Sequence, residues 1–202
     1  MRQEQIPMTH LLEKFKFCPA CGSPHFVVND EKSKRCENCD FVYFMNPSAA
    51  NVAFILNEHG ELLVERRRND PGKGTLDLPG GFSDANETGE EGIIREVREE
   101  TNLQVDRAEY VFSLPNEYRY SGLDIPTLDM FFRCEVSDTS RLKAGDDAGE
   151  VSWLPLEEVR TEQFGLRSIR QGLRVFLERA GEMGWTNAGK RTSESDRRNK
   201  TT

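Results

Sequence analysis

The chain has 202 residues and a formal net charge of −8, with 36% hydrophobic and 31% charged residues. That length suits one ordinary domain with a small appendage, and that charge disfavours broad nucleic-acid binding, which needs a cationic surface to displace counterions. The unbroken apolar runs fall far short of the roughly 20 residues that span a bilayer, so no membrane partner is expected.

The opening ten residues are polar and lack the apolar centre of a signal peptide, so a cytoplasmic location is expected. A short amphipathic patch, Leu11-Leu-Glu-Lys-Phe-Lys-Phe17, leads into the first cysteines. Four of the five cysteines form two tight pairs, Cys18-Pro-Ala-Cys21 and Cys36-Glu-Asn-Cys39, fourteen residues apart. Each pair turns two sulfurs toward one point, and two such turns supply the four thiolates of a tetrahedral Zn²⁺ site. The segment resembles a zinc ribbon, with Cys18, Cys21, Cys36 and Cys39 as the zinc ligands. Four thiolates leave no open coordination position, so the zinc is structural and staples a segment too small to own a core. Cys134 stands alone in a predicted strand and reads as an inert buried thiol.

Asn46-Pro47 breaks the chain and marks the domain boundary. The domains expected are a zinc ribbon over 1–45, a larger main domain over 46–181 and a disordered tail over 182–202. Ala49–Leu56 reads as a buried strand, Asn57-Glu-His-Gly60 as a hairpin turn and Glu61–Arg66 as the return strand. Arg66, Arg67 and Arg68 end that strand, where guanidinium groups can meet phosphate or simply face solvent. Thr75–Leu78 delivers the turn Pro79-Gly-Gly81, whose glycines allow close approach of the backbone to a ligand.

A helix is predicted from Thr88 to Glu100 or Thr101, because Thr88-Gly-Glu-Glu91 has the pattern of a capping box. At 3.6 residues per turn, Glu96, Glu99 and Glu100 share an arc of about 100°. Gly92 precedes them on that arc and leaves space beside them. Ile94, Val97 and Thr101 form the packing face, with Ile93 at its border. Glu91, Arg95 and Glu99 stand at i, i+4 spacing, which lets Arg95 orient carboxylates. Two readings of the acidic arc compete. It is a solvated face, or it offers hard oxygen ligands to Mg²⁺ (or Mn²⁺). The helix macrodipole disfavours carboxylates near a C-terminus, which favours the second.

The full spacing is Gly81, five residues, Glu87, seven residues, then Arg95-Glu-Val-Arg-Glu-Glu-Thr-Asn-Leu103. It resembles the box of the Nudix hydrolase family, departing only at Asn102, where that family has glycine. Asn is the next-best residue for a left-handed helix stop. The resemblance implies an α/β fold, a Nudix-type α/β/α sandwich with a mixed sheet. It also implies hydrolysis of a nucleoside diphosphate linked to another group. Glu96, Glu99, Glu100 and the Gly80 carbonyl become the Mg²⁺ ligands, and Arg95 and Glu87 hold the acidic helix. The general base is Glu96, Glu99 or an acid from a later loop, where Glu150 and Asp147 are the candidates.

Beyond the box, a strand to Leu114, an aromatic-bearing connection over Pro115–Pro126 and a strand over Leu128–Val136 are predicted. Tyr118 and Tyr120 in that connection can stack on a base or stand exposed. Trp153 packs at a strand end, and Phe164–Arg179 reads as a helix over the far side of the sheet. Zinc-ribbon members of the family include NADH diphosphatases, but the Ser-Gln-Pro signature of that group is missing between Leu103 and Glu150. ADP-ribose, another nucleoside diphosphate derivative and a nucleoside triphosphate stay open as substrates. The expected partner is therefore a small-molecule nucleotide, and the expected assembly a homodimer. The alternative is a nucleotide-sensing module whose ribbon binds a partner; retention of every box carboxylate favours the enzyme.

Overall fold

The apolar runs of the chain become strands that bury one or both faces. A computed structural model describes residues 10–145 and 149–180. The expected disordered segment 182–202, together with Asp146 and Asp147, lies outside the described residues. The chain divides into two compact units. The first takes the residues up to Ser48 together with Glu117–Thr127, and the second takes Ala49–Asn116 with the residues from Leu128 onward.

In the first unit, β1 (Phe26–Asp30), β2 (Ser33–Cys36) and β3 (Val42–Phe44) form an antiparallel sheet in that order. Each cysteine pair is a tight turn of the same design. The Gly22 amide donates to the Cys18 carbonyl at 2.8 Å, and the Asp40 amide donates to the Cys36 carbonyl at 3.0 Å. Both turns need a residue of positive φ after the second cysteine, supplied by Gly22 at 74° and Asp40 at 59°. Glycine has no steric penalty there, and Asp is among the few other residues that tolerate it. The core beneath is small: Cys18, Phe26 and Cys36, with Phe15 and Tyr43 packed against them.

The second unit takes β4 (Ser48–Ile55) from Ala49, β5 (Glu61–Arg66), β6 (Leu76–Asp77), β7 (Gly80–Phe82), α1 (Gly89–Thr101), β8 (Arg107–Tyr120) as far as Asn116, β9 (Leu123–Glu135) from Leu128, β10 (Val151–Pro155) and α2 (Arg167–Ala180). Their strands form two sheets, ordered β10-β5-β6 and β7-β4-β9-β8. The pairs β10–β5, β5–β6 and β4–β7 are antiparallel, while a parallel bridge joins Leu76 to Phe164. Alternation along the strands separates two cores. Phe54, Leu62, Val64 and Phe131 face Ile169, Leu173 and Phe176 of α2. Ala53, Ile55, Leu63 and Phe132 face Ile93 and Val97 of α1. The α2 layer is anchored by Phe176 stacked on Phe54, their ring centroids 4.4 Å apart. The result is the expected α/β/α sandwich with mixed strand sense.

Two local expectations need correction. Pro115–Pro126 is not an irregular connection, because β8 and β9 run through both prolines to a two-residue turn at Ser121-Gly122. Both turn residues have positive φ, 49° and 75°, as a type I′ hairpin requires. Pro115 is tolerated because β8 is an edge strand of its sheet, where a missing amide breaks no inner ladder. The second correction is in α1, where Ile93 rather than Ile94 is fully buried beside Val97. The helix rests slightly rotated from the predicted packing face.

Candidate active site

The site grows from two local structures, a glycine turn and a capped helix. Thr88 caps α1 reciprocally: its hydroxyl accepts from the Glu91 amide at 3.2 Å, and the Glu91 carboxylate accepts from the Thr88 amide at 2.8 Å. Such a cap is worth about 1 kcal/mol. It also occupies Glu91, which therefore does not join Arg95. At the other end Asn102 takes the left-handed conformation, φ 58° and ψ 14°, and its amide donates to the Arg98 carbonyl. The asparagine is thus the helix stop that the sequence requires.

The turn before the helix places backbone against carboxylate. Gly80 has φ 152°, and a Cβ there would lie 2.0 Å from the Asn51 carbonyl oxygen. At Gly81 a Cβ would lie 2.7 Å from the Glu96 carboxylate. The Gly80 amide donates to Glu100 Oε2 at 2.8 Å. The two glycines let the chain pass directly over the acidic face of α1.

Arg95 organises that face. Its guanidinium makes a two-pronged contact with Glu87, at 3.1 and 2.7 Å. It also donates to Glu96 at 2.8 Å, Glu99 at 3.2 Å and the Phe82 carbonyl at 3.1 Å. Paired hydrogen bonds of this kind are directional as well as strong. They hold the Glu87 carboxyl below its usual range. Glu87 in turn accepts from the Asp84 amide at 2.6 Å, fixing the loop between turn and helix.

The predicted carboxylates are on one side of α1 but are not equivalent. The Glu96 side chain is 14% exposed and that of Glu99 60%. Glu100 is held at the Gly80 amide. Among the described residues, only the four cysteines form a set of three or more ligand atoms all within 4.8 Å of one another. Glu96, Glu99 and Glu100 do not converge that closely: Glu96 and Glu99 share Arg95 Nη1, whereas Glu100 is drawn to the Gly80 amide. Glu150 is exposed and 3.7 Å from Arg66 Nε, so it stands by the end of β5.

Two acids escaped the sequence reading. Asp77 on β6 is buried and ion-paired to Arg67, which also donates to the Pro71 carbonyl at 2.6 Å. Arg67 is therefore committed to the fold. Glu65 pairs with Asp77 across β5 and β6 and is only 7% exposed. The available signal was an acid closing the apolar run Leu62-Leu-Val64, in a strand flanked on both sides. Burial, then the charge of Asp77, pushes the Glu65 carboxyl up to about 8. Burial, then the charge of Glu65, raises Glu100 well above the usual carboxylate range. Burial also raises Glu96.

These raised groups bind protons more tightly in the folded chain than in the unfolded one. Stability is thus fully present below the ordinary value of 4.5 and is lost as pH rises through about 8. In zinc-loaded protein without Mg²⁺ or Mn²⁺ the melting temperature is expected to fall by on the order of 5 °C between pH 6 and pH 8.5. Glu87, held low, is ionised in both states throughout that interval. Calorimetry of zinc-loaded protein with no other divalent cation added checks this; a melting temperature that is flat or rises across the interval contradicts it.

The donor set suits a hard divalent cation. Carboxylate oxygens line one helix face, the backbone approaches them without side chains, and Glu65 Oε2 is buried without a hydrogen-bond partner. In the first unit, the Cys18–Cys39 and Cys21–Cys36 sulfurs lie 3.8 and 3.6 Å apart, a spacing suited to four thiolates around Zn²⁺. Cys134 is buried, which pushes its thiol up to about 12 and leaves it unreactive.

Comparison with known proteins places both units. Residues 45–176 match the model of the NUDIX domain, and residues 13–44 match that of the NADH pyrophosphatase zinc ribbon domain. The chain is 34% identical over 118 residues to the ADP-ribose pyrophosphatase of Methanocaldococcus jannaschii, covering 57% of this chain and 66% of that protein. It is 30% identical over 110 residues to the NAD-capped RNA hydrolase NudC of Vibrio parahaemolyticus, covering 54% of this chain and 42% of that protein. The alignments thus span less than two thirds of each curated relative. The crystal structure of a NUDIX hydrolase from Nitrosomonas europaea shares the fold, with a TM-score of 0.64 and 24% identity over 83% of this chain and 93% of that one. With the NUDIX model matched over most of its length and a zinc ribbon before it, the chain belongs to the Nudix family.

Proposed function

We propose that the second unit hydrolyses the diphosphate linkage of a nucleoside diphosphate joined to a further group, using Mg²⁺ or Mn²⁺. The observation that carries this reading is the acidic face of α1, complete at Glu96, Glu99 and Glu100 and overlain by the Gly80-Gly81 backbone. Those three carboxylates and the Gly80 carbonyl would hold the cation. When bound, it supplies charge neutralisation of the diphosphate and a more acidic attacking water. Arg95 and Glu87 position the carboxylates and do not touch substrate. A carboxylate of Glu96, Glu99 or Glu150 accepts the proton of the attacking water. General-base assistance of this kind contributes roughly 10²–10⁴-fold.

ADP-ribose is the substrate we place first. The 34% identical relative is an ADP-ribose pyrophosphatase, and the segment Leu103–Glu150 lacks a Ser-Gln-Pro run. NADH is second, supported by the zinc ribbon model. The clustering of four cysteines as a thiolate metal set rather than as disulfides supports a cytoplasmic setting. No helix among the described residues is long and apolar enough to cross a membrane. The test is a panel of ADP-ribose, NADH, other nucleoside diphosphate derivatives and nucleoside triphosphates with Mg²⁺. ADP-ribose is expected to turn over fastest, by kcat/KM. Binding of a nucleotide without turnover of any panel member would replace the enzyme reading with a nucleotide sensor.

A further inference from the structure

Among the described residues of the second unit, Glu65 is the buried acid that neither the fold nor the proposed chemistry has yet used; Asp77 pairs with Arg67 and Asp129 accepts from Asn116 and Ser168. It is 7% exposed, and its Oε2 is buried without a hydrogen-bond partner. Leaving such an oxygen unpaired in the interior costs free energy that Leu or Met at the same position would not.

Its direction follows from strand alternation. On β5, Leu62 and Val64 face the α2 core, whereas Leu63 faces the α1 core. Glu65 is two residues beyond Leu63 and so shares its face. That face carries Glu96 and Glu100: Glu65 feels the negative charge of Glu96, and Glu100 feels those of Glu65 and Glu96. Asp77, the cross-strand neighbour, has its charge answered by Arg67. Arg67 also attracts the Glu65 carboxylate, but Glu65 Oε2 is buried and accepts no hydrogen bond. A buried carboxylate oxygen lacking a donor, set beside two acids of a hard-ligand face, has the chemistry of a hard-cation ligand.

We propose that Glu65 is a further ligand of the divalent-cation site, its Oε2 supplying a hard oxygen to the ion held by Glu96 and Glu100. This rests on the metal-dependent reading above. The ligand class is Mg²⁺ or Mn²⁺, and the position lies outside the helical motif.

The test uses the full zinc-loaded chain, so that the thiolates do not take the probe ion, and follows Mn²⁺ binding by the electron paramagnetic resonance of free Mn²⁺. Glu65→Gln is expected to weaken the tightest Mn²⁺ site by at least about tenfold. The same substitution is expected to raise the melting temperature of the zinc-loaded chain without Mn²⁺ while shrinking the rise that Mn²⁺ produces. A merely structural glutamate would do the reverse, lowering the Mn²⁺-free value and leaving the Mn²⁺ effect unchanged. Glu65→Asp, which keeps the charge but withdraws the oxygen, should also weaken binding and serves if the Gln variant does not fold. Unchanged Mn²⁺ affinity in the folded variant, alongside its loss in Glu100→Gln, overturns the role of Glu65 and leaves the metal-dependent reading standing. Absence of Mn²⁺ binding by the parent chain overturns both.

Discussion

Replacing Glu99 by Gln is expected to lower the rate of diphosphate hydrolysis by at least about 10²-fold while leaving folding stability nearly unchanged. The two effects separate because of where Glu99 sits. Its side chain is 60% exposed and contacts the fold through Arg95 Nη1 at 3.2 Å. Exposed ion pairs of this kind contribute about 0–1 kcal/mol. Arg95 retains Glu87, Glu96 and the Phe82 carbonyl when Glu99 is neutralised. The chemistry, by contrast, loses a formal charge from the cation-binding face, or its proton acceptor. Steady-state kinetics on ADP-ribose with a parallel melting curve checks both halves. A rate within a few-fold of the parent would remove Glu99 from the machinery.

Loss of zinc is expected to be the largest effect on structure. Zinc analysis should find one ion per chain, absent in Cys18→Ser and in Cys36→Ser. Among the described residues the first unit centres its core on Cys18, Phe26 and Cys36, and two of these are proposed zinc ligands. So small a core leaves metal binding to supply the folding free energy, apparently about 10–16 kcal/mol in zinc-finger peptides near neutral pH. Amide resonances of β1–β3 should collapse toward random-coil positions in both variants. Stoichiometric zinc in both would contradict the four-thiolate site.

What could be read from the sequence was local chemistry. The capping box at Thr88 and Glu91, the left-handed stop at Asn102 and the cysteine turns each depend on a few adjacent residues, and each stands in the structure. What could not be read depended on neighbours distant in the chain. Pro115 signals a break until β8 is known to be an edge strand. Arg67 looks like a phosphate ligand until β6 brings Asp77 beside it. Glu65 looks like a solvated strand end until the layer of α1 and the neighbouring strands bury it. Ile93 and Ile94 differ by one position on a helical wheel, and only the tilt of α1 on the sheet decides between them. The acidic helix was legible because its spacing is its chemistry. Its buried companion was not, because burial is a property of the packed layers.

The most direct measurement is ³¹P NMR of ADP-ribose incubated with zinc-loaded protein, with Mg²⁺ and again after Mg²⁺ is withheld. Cleavage between the two phosphates with Mg²⁺, giving AMP and ribose 5-phosphate, and no cleavage without it, is the predicted result. Cleavage that proceeds equally well without a divalent cation would contradict a metal site on the acidic face of α1.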